Sequence, residues 1–324
     1  MKQGLVFGLF GAMLLAASPS HAQQAGYPSK QVRVVVPYPA GGPTDLIARL
    51  LSQKLTERLK QSFYVENVGG ASGAVGAGQV AQSAPDGHTL LFVTNDFAVA
   101  SVTNTGLPYD PVKNFAPVTI VASSPQVVAV NPSVPAKAMK ELVDLIRTEP
   151  VKYNYAALGI GFGQLSAERL FKLGLKLDQF ARIPFNGAAP AVNSTLAGHT
   201  QVIFLGLPPV APHLGSEKLR ALAVTSPKRT PAFPNIPTLR ESGINDQESE
   251  LQIGVVAAAN TPAPIIATLQ KQIAEIVMLP DVKATLDSFS FVPVASSPDA
   301  YGKQIKDDIA EWGKVMKDAG IQPN

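Results

Sequence analysis

The sequence predicts an α/β protein built on mostly parallel sheets. Two observations carry this. Short β-branched runs alternate with amphipathic stretches along the chain, and several runs end in a glycine- or proline-rich loop that opens into a helical stretch. The third observation is size: 324 residues exceed one typical domain, which favours two lobes or one large α/β body.

The first residues read as processing rather than fold. Lys2 supplies a positive start, Gly4 to Ala17 an apolar run, and Ser20-His21-Ala22 a small-residue cleavage site. Residues 1–22 are therefore expected to be a signal peptide cleaved near Ala22, and the protein to be exported, most simply to a periplasm. The apolar run is short for a bilayer, no Cys follows it, and no later segment is long enough to span a membrane.

The first strand is Val32–Val36. It stops at Pro37-Tyr38-Pro39-Ala40-Gly41-Gly42-Pro43-Thr44-Asp45, and a helix over 46–59 follows with Leu46, Leu50 and Leu55 on one face. Asp45 precedes Arg49 by four residues, the favourable order for a helical ion pair. A loop of this kind turns backbone N–H groups and a positive helix end towards a potential anion. Phe63–Glu66 and Thr89–Thr94 read as strands, with Gly69 to Gly76 opening a small-residue helix between them. Val127–Val130 is the next strand. A second glycine loop, Gly159-Ile160-Gly161-Phe162-Gly163-Gln164, precedes a helix over 165–173. Val202–Leu205, Leu219–Val224 and Gln252–Ala257 complete the strands. Ile265, Leu269, Ile273 and Ile276, then Tyr301, Ile305, Ile309 and Trp312, mark two core-facing helices near the C-terminus. Two Pro-rich zones, 108–135 and 208–237, interrupt the pattern, the second holding a rigid irregular excursion over 227–237.

Composition excludes several kinds of chemistry. A net charge of +3 on scattered Lys and Arg argues against nucleic acid. With no cysteine there are no disulfides, thiol nucleophiles or Cys-held metals. No HExxH helix, nucleophile elbow, dinucleotide fingerprint or phosphate-binding Gly-Lys-Ser/Thr occurs, so neither a metal nor another cofactor is expected. His88 sits in a Pro85-Asp86-Gly87-His88 turn, where a structural role is the simpler reading. An exported enzyme is disfavoured. One glycine loop alone would be an ordinary tight turn; two in one exported α/β chain favour a ligand cleft at the strand ends.

These residues also match a known pattern. Val36 to Asp45 with Arg49, Glu66-Asn67 with Gly69 to Gly73, Pro85-Asp86-Gly87, Asn186-Gly187-Ala188-Ala189-Pro190, Leu196-Ala197-Gly198, Leu219 to Thr225, Pro237 to Gly243 and Trp312 follow in order over nearly the whole chain after the leader. In them the chain resembles the Bug/TctC family, extracytoplasmic solute receptors of tripartite tricarboxylate transporters. The resemblance implies a two-lobed type II periplasmic-binding-protein fold with a discontinuous first lobe: residues 27–124 plus 252–324, against 125–251. It implies a monomer that clamps a small organic carboxylate and delivers it to membrane transporter subunits, without catalysis. A sensing role at a membrane sensor kinase would need the same clamp. The residues expected to contact the ligand are Tyr38, Pro39, Ala40, Gly41, Gly42, Thr44 and Asp45 in the first loop, Asn95, then Gly159, Gly161, Phe162, Gly163 and Gln164 in the second, and Asn186, Gly187 and Ala188. Thr44 is expected to cap the first helix, and Asp45 to brace the loop through Arg49 as well as border the site. The chain departs from the family pattern at Phe162 to Gln164, and at Ser194, Gln201 and Leu205, where family acids are missing. Fewer acids and an added apolar ring point towards a non-aminated, even aromatic, carboxylate.

Overall fold

A computed structural model describes residues 26–159 and 161–323. The expected signal peptide and Ile160 lie outside the described residues. From the N-terminus come β1 (Val32–Val36), α1 (Pro43–Leu59), β2 (Phe63–Asn67), α2 (Ala74–Ala81), β3 (Thr89–Thr94), α3 (Asp96–Thr103) and β4 (Phe115–Val130). The middle of the chain forms α4 (Met139–Thr148), β5 (Asn154–Leu158), α5 (Phe162–Ala167), β6 (Ala181–Phe185), α6 (Ala188–Leu196), β7 (Val202–Gly206), α7 (Leu207–Leu214) and β8 (Arg220–Val224). Last are β9 (Glu250–Ala258), α8 (Ala263–Val277), α9 (Pro280–Ser288), β10 (Val292–Pro293) and α10 (Pro298–Asp318).

The strands form one curled sheet in the order β2-β1-β3-β9-β4-β7-β5-β6, with β8 and β10 also paired to β4. Its outer parts are parallel: β1 with β2 and β3, and β5 with β6 and β7. Its centre is antiparallel, because β4 and β9 run against each other and against β3, β7, β8 and β10. The sheet is therefore mixed rather than mostly parallel. Alternating strands and helices announce the parallel units, but they do not show a long strand returning between them.

β4 is that strand, and it extends well upstream of Val127–Val130. Pro117 and Pro125 read as breakers in the sequence, yet both pair with β9, Pro117 beside a shift in the ladder where a missing N–H is tolerated. β5 and β6 were not resolved by alternation, since β5 runs straight into the second glycine loop and β6 is largely exposed. The helix expected over 165–173 begins at Phe162 and changes after Ala167 into a π-helical turn, Glu168–Gly174.

Burial follows the helical stripes with small rotations. α1 buries Ile47, Ala48, Leu51 and Leu55 and leaves Leu46 37% exposed. In α8 the core residue is Ile266 rather than Ile265, followed by Leu269, Ile273 and Ile276. α10 buries Tyr301, Ile305 and Trp312 as expected, but places Asp308, not Ile309, in the interior. The apolar core divides at the crossing of β4 and β9. Two clusters draw on residues before 123 and after 252, including Val34, Leu51, Phe92, Val255 and Leu269. Two others draw on the middle of the chain, including Val128, Phe171, Phe204 and Leu222. A fifth joins the halves: Val99, Trp312, Val315 and Met316 pack against Phe162 and Leu165.

Candidate functional site

The first loop is braced from beneath by Asp45. Gly42, extended and without a side-chain cap, starts α1, and Pro43 takes the first helical position, where its missing N–H costs nothing. Thr44 is therefore inside the helix and does not cap it; it is buried at the second helical position. Asp45 accepts from Gly41 N–H at 2.9 Å, Arg49 Nε at 3.0 Å and Asn67 Nδ2 at 2.9 Å. Asn67 Nδ2 also donates to Tyr38 O at 3.1 Å, so the two ends of the loop hang on one carboxylate and one amide. Burial pushes the Asp45 carboxyl up, and the bonds from Arg49, Gly41 and Asn67 more than reverse this, leaving it below the usual carboxylate range. This spends Asp45 on the loop rather than on a ligand. Gly41, at φ +84°, supplies the backbone turn that aims its N–H at Asp45. Pro39, Ala40 and Gly41 are exposed above this brace, and Tyr38 and Gly42 are half-buried.

From the first loop a chain of contacts crosses to the second. Tyr38 Oη lies 2.9 Å from Thr94 Oγ1 and accepts from Thr94 N–H at 3.2 Å. Thr94 Oγ1 donates to Asp96 Oδ2 at 3.3 Å, and Asp96 Oδ1 accepts from Phe162 N–H at 2.9 Å. That last bond joins the start of α3 to the start of α5, across the two halves of the sheet. Gly161, at φ +122°, has no side chain to collide with Asp96 Oδ1, as any Cβ there would. Burial raises the Asp96 pKa, only partly offset by the Phe162 and Thr94 bonds. Gly159 N–H donates to Phe185 O at 3.1 Å, which brings the third loop alongside. There the Asn186 side chain borders Gly159, and Gly187, at φ +138°, starts α6 at Ala188.

Loops one, two and three thus meet at the C-terminal ends of β1, β3, β5 and β6, where open α/β sheets bind ligands. Four of the expected residues play parts that their types alone did not reveal. Asn95 is buried and faces inward: its Oδ1 accepts from Gln252 N–H at 2.6 Å, and its side chain also bonds Asp308. The Phe162 ring is 4% exposed and packs edge-on against Trp312 with centroids 5.2 Å apart, so its backbone rather than its ring is presented to Asp96. Gln164 is buried behind it, and Gly163 is held close against Leu158.

The three positions that lack a family acid sit away from the second loop or in the core. Leu205 lies in the core under α7. Gln201 accepts from Asn154 N–H at 3.1 Å, at the end of β5 away from the second loop, and Ser194 accepts from Thr200 at that same side. The sequence reading missed Asp96 altogether. An acid directly after a buried strand, at its ligand-facing end, was the available signal.

A cavity of about 210 Å³ lies beside these contacts, between α5, α10 and the start of β9, with Asn95, Phe162, Glu250, Asp308 and Trp312 in its wall. Asp308, held by Gln304 at 2.8 Å, is pushed up to about 6 by burial, and burial also raises Glu250. Among the described residues no cluster of His, Asp or Glu could hold a metal ion, and no helix is long and apolar enough to cross a membrane.

Comparison with known proteins decides the family. A family model described as the tripartite tricarboxylate transporter family receptor matches residues 47–321. The chain belongs to this Bug/TctC receptor family. Among curated relatives of the receptor, Protein BugT of Bordetella pertussis is 31% identical over 321 residues, covering 98% of this chain and 97% of that protein. Among solved structures, an R. palustris protein with adipate is 32% identical at a TM-score of 0.81, covering 92% of the receptor and all of that chain. MatC from Rhodopseudomonas palustris, with bound malate, is 29% identical at a TM-score of 0.75, with 89% and 99% covered. The receptor thus has the periplasmic-binding-protein fold of this family, a family of solute receptors and not of enzymes.

Proposed function

We propose that the chain is an exported, monomeric receptor that captures a small organic carboxylate between two lobes and hands it to membrane transporter subunits. The lobes would be residues 27–124 plus 252–324 and residues 125–251. The observation that carries this reading is the meeting of three strand-to-helix loops at one end of the sheet, linked from Tyr38 through Asp96 to Phe162 and on to Asn186. Relatives solved with adipate and malate share the fold over nine-tenths of the chain, which favours an acid as the ligand.

The physical case rests on the helix starts. The first N–H groups of α1 and α6 have no acceptor within their helices, and both helices begin at a glycine among small residues that let a ligand approach the backbone. Charge-assisted bonds from such donors are worth about 1.5–3 kcal/mol each, enough for capture without a buried Arg. The Asp45 brace and three prolines, Pro37, Pro39 and Pro43, hold the first loop in shape before binding and lower its ordering cost.

Mass spectrometry of the protein purified natively from an exporting host tests this. A small organic acid should be released on denaturation. A neutral sugar, a peptide or a metal complex in its place would refute the reading.

A further inference from the structure

One face of the helical segment after the second loop forms a seam with α10. Phe162, Leu165, Arg169 and Lys172 recur every three or four residues, and all four meet the other half of the molecule. Phe162 N–H reaches Asp96, Leu165 packs into the cluster of Val99 and Trp312, and Lys172 Nζ donates to Ala319 O at 2.8 Å. Arg169 makes three contacts. It pairs with Glu311 of α10, lies over the Trp312 ring with its guanidinium carbon 5.5 Å from the centroid, and donates to Asp246 O at 2.7 Å. Asp246 belongs to the same half as Arg169, so that bond holds the guanidinium in place while its charge serves the other half.

The turn that carries Arg169 and Lys172 is the π-helical stretch Glu168–Gly174. Such turns are rare and concentrate at working parts of proteins. The Arg169 side chain is only 17% exposed, so its pair with Glu311 is better shielded from water than an ordinary surface pair. Arg169 stands in the wall of the 210 Å³ cavity together with Glu311 of α10 and Glu248 from the middle of the chain. Removing its charge would leave acids of both halves around one cavity with less to hold them together. Arg169 lies seven residues past Phe162, about 10 Å further along the helix and outside the three loops.

Resting on the reading of the chain as a two-lobed receptor, we propose that Arg169 and Glu311 form a latch that holds the halves together from outside the cleft. The latch sets how tightly a captured acid is held. A ligand that binds only the closed arrangement has an apparent Kd that rises as the closed fraction falls. Arg169 and Glu311 raise that fraction before any ligand arrives, and so act as positioning residues without touching what is bound.

Double electron–electron resonance on refolded, ligand-free protein tests the latch. The chain has no cysteine, so Gln53→Cys in α1 and Asn193→Cys in α6, both at exposed positions, place one spin label on each half. With no other change, a single short-distance population should dominate. Glu311→Gln leaves Arg169 its bond to Asp246 O and should shift the closed-to-open ratio about threefold towards longer distances. Arg169→Met, which also removes the contact with Trp312, should shift it about tenfold. Raising NaCl to about 0.5 M should open the unmodified protein and leave Glu311→Gln unaffected. Glu311→Arg should open the halves, and adding Arg169→Glu to it should recover part of the closed population. Distances that Glu311→Gln and salt leave unchanged would overturn the latch, as would a reversed pair that recovers nothing. If Arg169→Met does not fold, Glu311→Gln and the salt series decide. None of these results bears on the carboxylate reading, which fails only if no acid binds.

Discussion

Asp45 shows how one buried residue can shape a loop from beneath. It is 2% exposed, so its three hydrogen bonds are made where water competes little. The Arg49 side chain is half exposed, and that ion pair alone would contribute little; the bonds to Gly41 and Asn67 are what fix the loop. Asp45→Ala should lower stability by about 2 kcal/mol in urea unfolding and also weaken acid binding, because the loop loses its brace. A variant with unchanged binding would mean that the loop keeps its shape without Asp45. Phe162 makes the converse point. Its ring closes the packing between Val99, Leu165 and Trp312, so Phe162→Ala should cost about 3–5 kcal/mol in unfolding and weaken all acids alike. A selective loss for aromatic acids would show instead that the ring faces the ligand.

At the scale of elements, α10 carries a pH-dependent liability. Asp308 is buried among Gln304, Asn95 and the neighbouring acids Asp307 and Glu311, and titrates near 6 rather than its usual 3.8. Because this carboxyl binds its proton more tightly in the folded state, it adds stability at low pH that is lost as pH rises from about 4 to about 6. Glu250, also raised by burial, acts in the same direction. Asp308→Asn should flatten that fall in a series of melting curves and raise the melting temperature at neutral pH; an unaltered pH dependence would contradict the assignment. The apolar stripe of α10 was legible in the sequence, since Tyr301, Ile305 and Trp312 recur at helical spacing. The burial of Asp308 was not, because it depends on Asn95, which is far away in the chain. The same distinction runs through the site. Pro37, Gly41, Gly42 and Gly161 announce loops by their backbone chemistry alone. The Asp96 to Phe162 bond spans 66 positions, and no local pattern predicts which acid meets which amide.

For the whole molecule, the two halves meet in two distinct ways. β4 and β9 pair side by side, and a buried polar cluster sits at the end of their ladder, where Gln126 donates to Ser166 at 2.7 Å and to Ser249 at 3.0 Å, and Thr225 bonds Ser249 O. Elsewhere the halves meet through the Asp96 carboxylate on the Phe162 amide, an ion pair between Arg169 and Glu311, a bond from Lys172 to Ala319 O and an apolar cluster around Trp312. A continuous pair of strands between two such halves suits hinge closure around a ligand. The alternation of strands and helices foretold an α/β body but not this central antiparallel pair, which joins stretches more than a hundred residues apart. Calorimetric titration of refolded, ligand-free protein with small organic acids and their uncharged amides tests the carboxylate-receptor account most directly. The account predicts saturable one-to-one binding of at least one acid and none of its amide. Binding of the amide as tightly as the acid, or of no acid at all, would contradict it.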